Sequence, residues 1–599
     1  MCGIVAIVRG AGADLSVTDR QALRVRDSLA HRGPDGAGVW RAPGVFLGQR
    51  RLEVIAPGEA GRQPMLSRDG RWVLVYNGEL YNDPSLRREL AALGLEPDSP
   101  SDTATVCQAL SAWGPQGLRR CRGMFAIVAY DTVERRLVMA RDPLGIKPLC
   151  YAWAQPHDGG GPELVVASEV PALFEHPHLS PRVDPLGLAA YLCTIRLSTE
   201  GRTLFEGVSM LPPGRVLEFD LSASDVPSES WDLPIEGVGD LDTRQLVEDS
   251  VAQHLRSDVP VCVLLSGGLD STIIAATTRA HRLSLPTFGA GGDEDNREGD
   301  AAHAAWLADR WDMPHRSIRM TRERFIAGVR TLIERTGQPV STPNETAIHA
   351  LGCAIRAGGC KVALTGEGAD ELFGGYHGPL QQAIDYIDAG GDDPAVAFLV
   401  QNAWVAPQLL PRVLSPKLAR IAEFGGWLVQ AYRDAYEQEA ARPGPSLGPR
   451  DEALRAHMRL VRRTNLTGLL QRVDSALSQS GVEGRTPLAD RVVASHADAL
   501  PMDQKFDPSL PPERGTKIAL RSAFAGIVPE EILYRRKASF PLPFQGWLTP
   551  LFDEIGRHPI VDEFFERTAW AAVAQDPAAN WQLAWPMINI AMWGRRWFS

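Results

Sequence analysis

A cysteine stands directly behind the initiating methionine, in Met1-Cys2-Gly3-Ile4, and trimming of that methionine would leave one residue carrying both a nucleophile and a base. A thiol near pH 7 is only a few per cent thiolate, and a free α-amine of near-neutral pKa can take its proton directly or through one water. Cys2 is thus a candidate nucleophile for an amide carbonyl. Such an attack needs donors for the oxyanion. Asn77-Gly78-Glu79, expected just after the apolar run Trp72 to Tyr76, supplies a side-chain amide and a backbone N–H that can meet at one oxygen.

A second kind of chemistry is written further along. Ser266-Gly267-Gly268-Leu269-Asp270-Ser271 lies between an apolar run and a helical stretch, so its backbone N–H groups and the helix N-terminus can cradle a phosphate, with Asp270 adding a carboxylate for magnesium. The pattern GxxxxGK[ST] is missing, so transfer of a γ-phosphate is not indicated. Thr365-Gly366-Glu367-Gly368-Ala369-Asp370-Glu371-Leu372-Phe373-Gly374-Gly375-Tyr376 follows another apolar run and gathers three acids in five residues. Mg·ATP gives a reason to bring such acids together.

The elements that must position these residues fall into two patterns. A chain of 599 residues is too long for one hydrophobic core, so two large domains are expected. Up to about residue 220 the apolar runs are short: Gly3 to Val8, Val45 to Leu47, Trp72 to Tyr76, Met124 to Tyr130, Leu137 to Ala140 and Leu164 to Ala167. They read as strands of a mainly antiparallel system, with helical periodicity at Thr18 to Leu29, Pro84 to Leu93 and Thr103 to Trp113, which gives a layered α+β domain. Asp220 to Asp240 is rich in Ser, Asp, Pro and Gly and suits a connection. Beyond it, Val259 to Leu265, Leu285 to Phe288 and Val362 to Leu364 alternate with helical stretches, one of which begins at Ser271 to Thr278, so this half is α/β with a buried parallel sheet. Gly289 to Asp300 and Ala440 to Asp451 are expected to be mobile. Five of the 15 tryptophans lie between Trp570 and Phe598, where packing of a helical C-terminal lobe is their expected role.

A net charge of −11 and a pI near 5.7 give no footprint for nucleic acid or an anionic membrane. The eight cysteines are scattered without CxxC pairs, no apolar run reaches 18 residues, and the start lacks a basic stretch with a long apolar core. A reduced, cytoplasmic setting is expected.

Taken in order, Cys2-Gly3-Ile4, His31-Arg32-Gly33-Pro34-Asp35-Gly36, Arg51-Leu52, Asn77-Gly78-Glu79 and Ser101-Asp102 resemble the class II glutamine amidotransferases, whose glutaminase domain has the N-terminal-nucleophile fold. The 266–271 loop resembles that of ATP pyrophosphatases, which cleave between the α and β phosphates. With the 365–376 cluster, Arg472-Val473-Asp474, Glu483-Gly484-Arg485-Thr486-Pro487 and Arg535, Arg536 and Lys537 ahead of Phe540, the second half resembles the synthetase domain of glutamine-hydrolysing asparagine synthetases. The division this implies is a glutaminase domain over 2–220, a linker over 221–240 and an ATP-pyrophosphatase domain over 241–599.

By that resemblance Cys2 is the nucleophile and Asn77 and Gly78 form the oxyanion hole. Arg51 holds the glutamine α-carboxylate, and Glu79 and Asp102 its α-ammonium, an arrangement of charge that suits a zwitterion. Ser266, Gly267, Gly268, Leu269, Asp270 and Ser271 hold the pyrophosphate, Leu264, Phe288, Thr365 and Gly366 surround the adenosine, and Asp270 and Asp370 bind Mg2+. Glu367 sits where incoming ammonia loses its proton, and Lys537 balances charge on the adenylate. His31 is read as structural. The implied reaction consumes glutamine, ATP and a carboxylic acid, aspartate first among acceptors, and ammonia passes inside the protein. A homodimer is the common default.

The sequence departs from the family where the acceptor is shaped: the usual Pro-Phe-Leu-Asp is Pro487-Leu488-Ala489-Asp490, Ser475 to Ser480 lacks the common basic residue or Ser-Met pair, and residues 380–460 match poorly. A tailoring amidotransferase for another acid is therefore the competing reading. A glutamine or nucleotide sensor without catalysis is opposed by the retained Cys2, Asn77, Asp270, Asp370 and Lys537, and a phosphoribosyl or sugar-phosphate amidotransferase by the pyrophosphate loop.

Overall fold

The structure is a computed structural model that describes every residue except 1, 11–12, 222–226, 236–241, 282, 293–298, 422–425 and 538–541. In the first half, two six-stranded antiparallel sheets face each other. One runs in the order Val208–Met210, Cys150–Ala154, Glu163–Ala167, Gly3–Arg9, Val45–Arg51, Gly36–Ala42; the other runs Glu229–Asp232, Arg215–Asp220, Arg136–Arg141, Gly123–Asp131, Trp72–Leu80, Met65–Leu66.

The first strand shows why both faces are covered. Ile4, Ala6 and Val8 pack against Val73, Val75, Val128 and Met139 of the opposite sheet. Val5 and Ile7 point the other way, into the cluster that holds Val25 of the Asp19–Asp27 helix. Covered on two sides, the strand reads as a continuous apolar run instead of an alternation. The outer face of the second sheet, with Leu74, Tyr76 and Ile127, is covered by Leu86, Leu90, Val106 and Leu110 from the helices Asp83–Ala92 and Asp102–Trp113. The result is the expected α+β domain of layered antiparallel sheets and helices. Thr18 caps the first helix in a capping box with Gln21, and Ser101 caps the helix that starts at Asp102.

The second half holds a five-stranded parallel sheet in the order His315–Met320, Thr287–Gly292, Val261–Leu264, Val362–Leu364, Glu483–Arg485. Val261–Leu264 and Val362–Leu364 are neighbours in the middle, so the loops that follow them lie side by side at the carboxyl edge, where ligands of such sheets bind. The helix Leu269–Ala280 starts from the first of these loops. In the C-terminal helix Trp581–Phe598, Trp585 and Trp593 are fully buried and their indole N–H groups donate to the Ser341 and Gly337 carbonyls, which makes them packing residues.

Several expectations need correction. The strand expected to end at Tyr76 continues to Leu80, so Asn77, Gly78 and Glu79 lie within it, paired with Ala126, Phe125 and Met124. The run Leu285 to Phe288 yields a strand only from Thr287, and it extends through Gly292, inside a segment expected to be mobile. Residues 293–298 of that segment, and 222–226 and 236–240 of the expected linker, lie outside the described residues, as does Phe540. The described part of that linker is not all connection: Glu229–Asp232 pairs with Arg215–Asp220 at the sheet edge. The segment Ala440 to Asp451 joins two helices, Gly426–Ala440 and Pro449–Val461. No helix among the described residues is long and apolar enough to cross a membrane.

Candidate active site

Cys2 sits at the start of a central strand, and its backbone N–H donates to Asn77 Oδ1 at 2.7 Å. This contact fixes the amide: with Oδ1 turned to Cys2, Asn77 Nδ2 is buried and has no hydrogen-bond partner among the described residues. A buried donor left unmade costs about 1–3 kcal/mol, and here it lies beside Cys2, the candidate nucleophile. Gly78 is required by packing, because a Cβ there would stand 2.2 Å from the Met124 carbonyl oxygen on the neighbouring strand. Burial pushes the Cys2 thiol up, against the pull of a hydrogen bond from the Leu52 backbone and of the Arg51 charge.

Arg51 is 7% exposed and spends Nη1 on the Gly58 carbonyl at 2.6 Å and Nη2 on those of Ala56 and Ile55 at 2.7 and 3.0 Å. It shapes the 55–58 turn, and its charge reaches the Cys2 thiol. Asp102 accepts from the Leu80 N–H at 2.9 Å and from the Tyr76 hydroxyl at 3.3 Å, and burial pushes its carboxyl up to about 6. Burial likewise pushes Glu79 well up, with Asp102 adding to the rise and Arg485 opposing it.

That arginine belongs to the other half of the chain. Arg485 is fully buried, 3.1 Å from Glu79 and 2.8 Å from Glu483, and donates to the His254 and Arg256 carbonyls at 2.7 and 2.5 Å. A second buried junction lies beneath Cys2: Arg32 donates to the Cys2 carbonyl at 3.2 Å, to Glu169 at 2.8 Å and to Asp474 at 2.6 Å, while Lys147 reaches the same Asp474 at 3.0 Å. Burial pushes Asp474 up, yet the two cations win and hold it below the usual carboxylate range. His31 bonds Glu169 at 2.9 Å and touches no reacting group.

The two central loops of the parallel sheet wall a cavity of about 350 Å³, to which Leu264, Ser266, Gly268, Leu269, Asp270, Ser271, Phe288, Thr365, Gly366, Glu367, Asp370 and Lys537 all contribute. Gly267 lies just behind, in the left-handed region at φ +73°, where a Cβ would also meet the Asp300 carbonyl oxygen at 2.5 Å. Gly366 lets the loops touch: a Cβ there would be 2.8 Å from the Asp270 Cβ. Arg472, whose motif the sequence singles out without a role, bonds Glu367 at 2.6 Å and Thr342 and Asn344 at 3.0 and 2.9 Å.

Lys517 is the residue that sequence reasoning misses. Its Nζ lies 2.7 Å from Asp270 Oδ2 and 2.7 Å from Asp370 Oδ1, and Lys537 Nζ reaches Asp370 at 2.6 Å while standing 4.0 Å over the Tyr376 ring. The two lysines hold Asp370 down to about 2 in spite of burial, whereas burial raises Asp270. No local pattern announces Lys517, which adopts an unusual left-handed φ of +51° ahead of a short helix. Two carboxylates on separate loops, converging beside the glycine loop 266–271, are a donor set that would suit magnesium when phosphate oxygens and water complete its coordination. Among the described residues no group of three or more His, Cys, Asp or Glu gathers to hold a metal by itself.

The model of the Asparagine synthase family matches residues 242–595, and that of the Glutamine amidotransferase domain matches residues 1–231. The chain belongs to the asparagine synthetase family. Asparagine synthetase [glutamine-hydrolyzing] 3 of Bacillus subtilis is 28% identical over 90% of this chain and 87% of its own length. Asparagine synthetase [glutamine-hydrolyzing] 1 of the same organism is 27% identical over 99% and 96%. Asparagine synthetase B of Escherichia coli is 30% identical over 63% and 65%. As a member of this family the protein is an ATP-dependent ligase of the amidotransferase type, and both halves of the architecture fit that membership.

Proposed function

We propose that the protein transfers glutamine nitrogen to a carboxylic acid, aspartate being the acceptor, to give asparagine, glutamate, AMP and pyrophosphate. The observation that carries the reading is the unpartnered Asn77 Nδ2 beside Cys2, in a chain that also builds the acid-and-lysine cavity. After loss of Met1, the Cys2 α-amine takes the thiol proton, Sγ attacks the glutamine δ-carbon, and Asn77 Nδ2 and the Gly78 N–H receive the oxyanion. Ammonia leaves, and water releases glutamate from the thioester. Glu79 and Asp102 hold the substrate's ammonium, while Arg51, its Nη groups spent on the 55–58 carbonyls, attracts the substrate carboxylate by its charge and by the turn it shapes.

In the second centre the acceptor carboxylate attacks the α-phosphorus and pyrophosphate departs, leaving an acyl adenylate. Ammonia then attacks the acyl carbon, AMP leaves, and Glu367, oriented by Arg472, takes the proton. Ser266 to Ser271 hold the departing pyrophosphate, and Leu264, Phe288, Thr365 and Gly366 enclose the adenosine. Asp270 and Asp370 would hold Mg2+, which neutralises phosphate charge when bound, and Lys537 and Lys517 supply fixed positive charge in the same place. The names of relatives at about 30% identity support aspartate.

A second reading, amidation of a different acid, is favoured by the wall at Ala489. It is fully buried against Gly368, where a Cβ would be 2.8 Å from its own, so the departure from the family pattern abuts the loop that carries Glu367. ATP–pyrophosphate exchange over a panel of carboxylic acids, with Asp270→Ala as control, separates the readings. Exchange with aspartate alone supports the first, exchange with another acid the second, and none with any acid supports a sensor.

A further inference from the structure

Residues 255–260 join the helix Thr243–His254 to the strand Val261–Leu264, whose far end opens into the 266–271 loop. They belong to the synthetase half, yet two of them reach across to the glutaminase half. The Asp258 N–H donates to the Val54 carbonyl at 3.0 Å, and Asp258 Oδ2 accepts from the Ala56 N–H at 2.7 Å. Arg256 Nη2 lies 2.6 Å from Asp83 Oδ2, and Nη1 makes a long bond, 3.4 Å, to the Leu80 carbonyl. The two attachment points are the two walls about Cys2. One is the 52–58 turn, where the Leu52 backbone hydrogen-bonds the Cys2 thiol; the other is the end of the strand that carries Asn77 to Glu79, where the Leu80 N–H also binds Asp102.

Ala56 is the strained point of the first wall. Its φ of +50° is a left-handed value that a residue with a Cβ rarely adopts, and such strain persists only where the surroundings over-determine it. Here two charged side chains from opposite halves do so: Arg51 Nη2 donates to the Ala56 carbonyl at 2.7 Å, and Asp258 takes the Ala56 N–H. Gly61 leaves room for that arginine, since a Cβ there would stand 1.7 Å from Nη2. The connecting segment is itself fixed from behind, because Arg485 donates to the His254 and Arg256 carbonyls while pairing with Glu79.

We propose that Asp258 is a positioning residue for glutamine hydrolysis: from the synthetase half it holds Ala56 in the left-handed turn that sets Arg51 and Leu52 about Cys2, while Arg256 fixes the opposite wall at Leu80. The role rests on the reading that Cys2 hydrolyses glutamine. Asp258 does not touch the substrate. Its loss frees the Ala56 N–H and lets the turn relax toward the backbone a non-glycine residue prefers, which shifts the charge of Arg51 from the substrate carboxylate. Binding then suffers more than the attack by sulfur. The carboxylate acts here as an acceptor, so the side-chain oxygen of an asparagine can serve in its place. Asp258 is exposed, so truncating it opens no cavity.

The test compares the full-length wild type with Asp258→Ala and Asp258→Asn in glutamine hydrolysis and in amide synthesis driven by free ammonia. Asp258→Ala is expected to raise KM for glutamine about tenfold, the worth of one hydrogen bond to a charged acceptor, with kcat kept within about twofold. Ammonia-driven synthesis is expected to keep its wild-type rate. Asp258→Asn is expected to restore most of the KM, and hydrogen exchange read by mass spectrometry should show the 54–58 amides exchanging faster in the Ala variant alone. Arg256→Met leaves Asp83 its pair with Arg87 and is expected to raise KM severalfold by loosening the other wall, which keeps the test open should Asp258→Ala fail to fold. Equal KM in an active wild type and in the Ala and Met variants, or a loss shared equally by kcat and ammonia-driven synthesis, overturns the role and leaves the glutaminase reading standing. A wild type that does not hydrolyse glutamine overturns that reading and the role with it.

Discussion

Arg485, on the edge strand of the parallel sheet, makes its ion pair with Glu79, on a strand of the glutaminase domain 3.1 Å away. The same residue's carbonyl accepts from the Thr365 N–H at 2.8 Å, so one arginine touches both Glu79, the acid proposed to bind glutamine, and the loop that walls the 350 Å³ cavity. Replacing it with Met leaves Glu79 buried without its ion-pair partner and removes one of the positive charges that act on Glu483. A loss of about 3–5 kcal/mol is expected in urea denaturation, with KM for glutamine rising more than kcat falls. Unchanged stability would show that the pair is not what balances this junction.

Asn77→Ala removes the unpartnered amide and is expected to cut glutaminase turnover by on the order of a hundredfold. Amide synthesis from free ammonia should persist, since the second centre is intact. Glutaminase kinetics equal to wild type would remove Asn77 from the oxyanion hole.

Lys517→Met is expected to lower ATP–pyrophosphate exchange by roughly a hundredfold or more, because Asp270 and Asp370 are left facing each other without their shared cation. Glutamine hydrolysis at Cys2 serves as the folding control and should be nearly unaffected. Exchange at wild-type rate would make Lys517 a packing residue only.

Asp102 gives a pH dependence with two opposite signs. Burial raises its carboxyl to about 6, so the neutral acid is the form folding favours; its contribution to stability is full below the usual carboxylate range and is lost as pH rises through about 6. Binding of the glutamine ammonium needs the ionised form and should weaken as pH falls through the same value. KM for glutamine is expected to climb below about pH 6 in the wild type. In Asp102→Asn it should be high and flat, and a profile identical to wild type would exclude Asp102 as the titrating group.

How much of this was legible in the chain depends on whether the partner was near in sequence. The strand at Gly3 and the helices capped by Thr18 and Ser101 could be read because their apolar runs and caps are local. Glu483–Arg485 could not: three polar or small residues do not announce a buried strand, and this one is buried because Arg485 finds Glu79, 406 positions away. Lys517 was hidden for the same reason, its partners Asp270 and Asp370 being supplied by two distant loops. The role of Gly78 was legible only in part: the sequence offered its N–H for an oxyanion, whereas what requires glycine there is the Met124 carbonyl oxygen on the neighbouring strand.

Asp474 accepts from Arg32 and Lys147, both of which come from the glutaminase half, and all three charges are buried. A transplant of this synthetase half behind another protein's glutaminase would therefore import an acid whose two cations stayed with the donor. The halves are separable modules in outline and a single electrostatic unit at the seam, and recombination between relatives should survive only where the seam residues travel as a set.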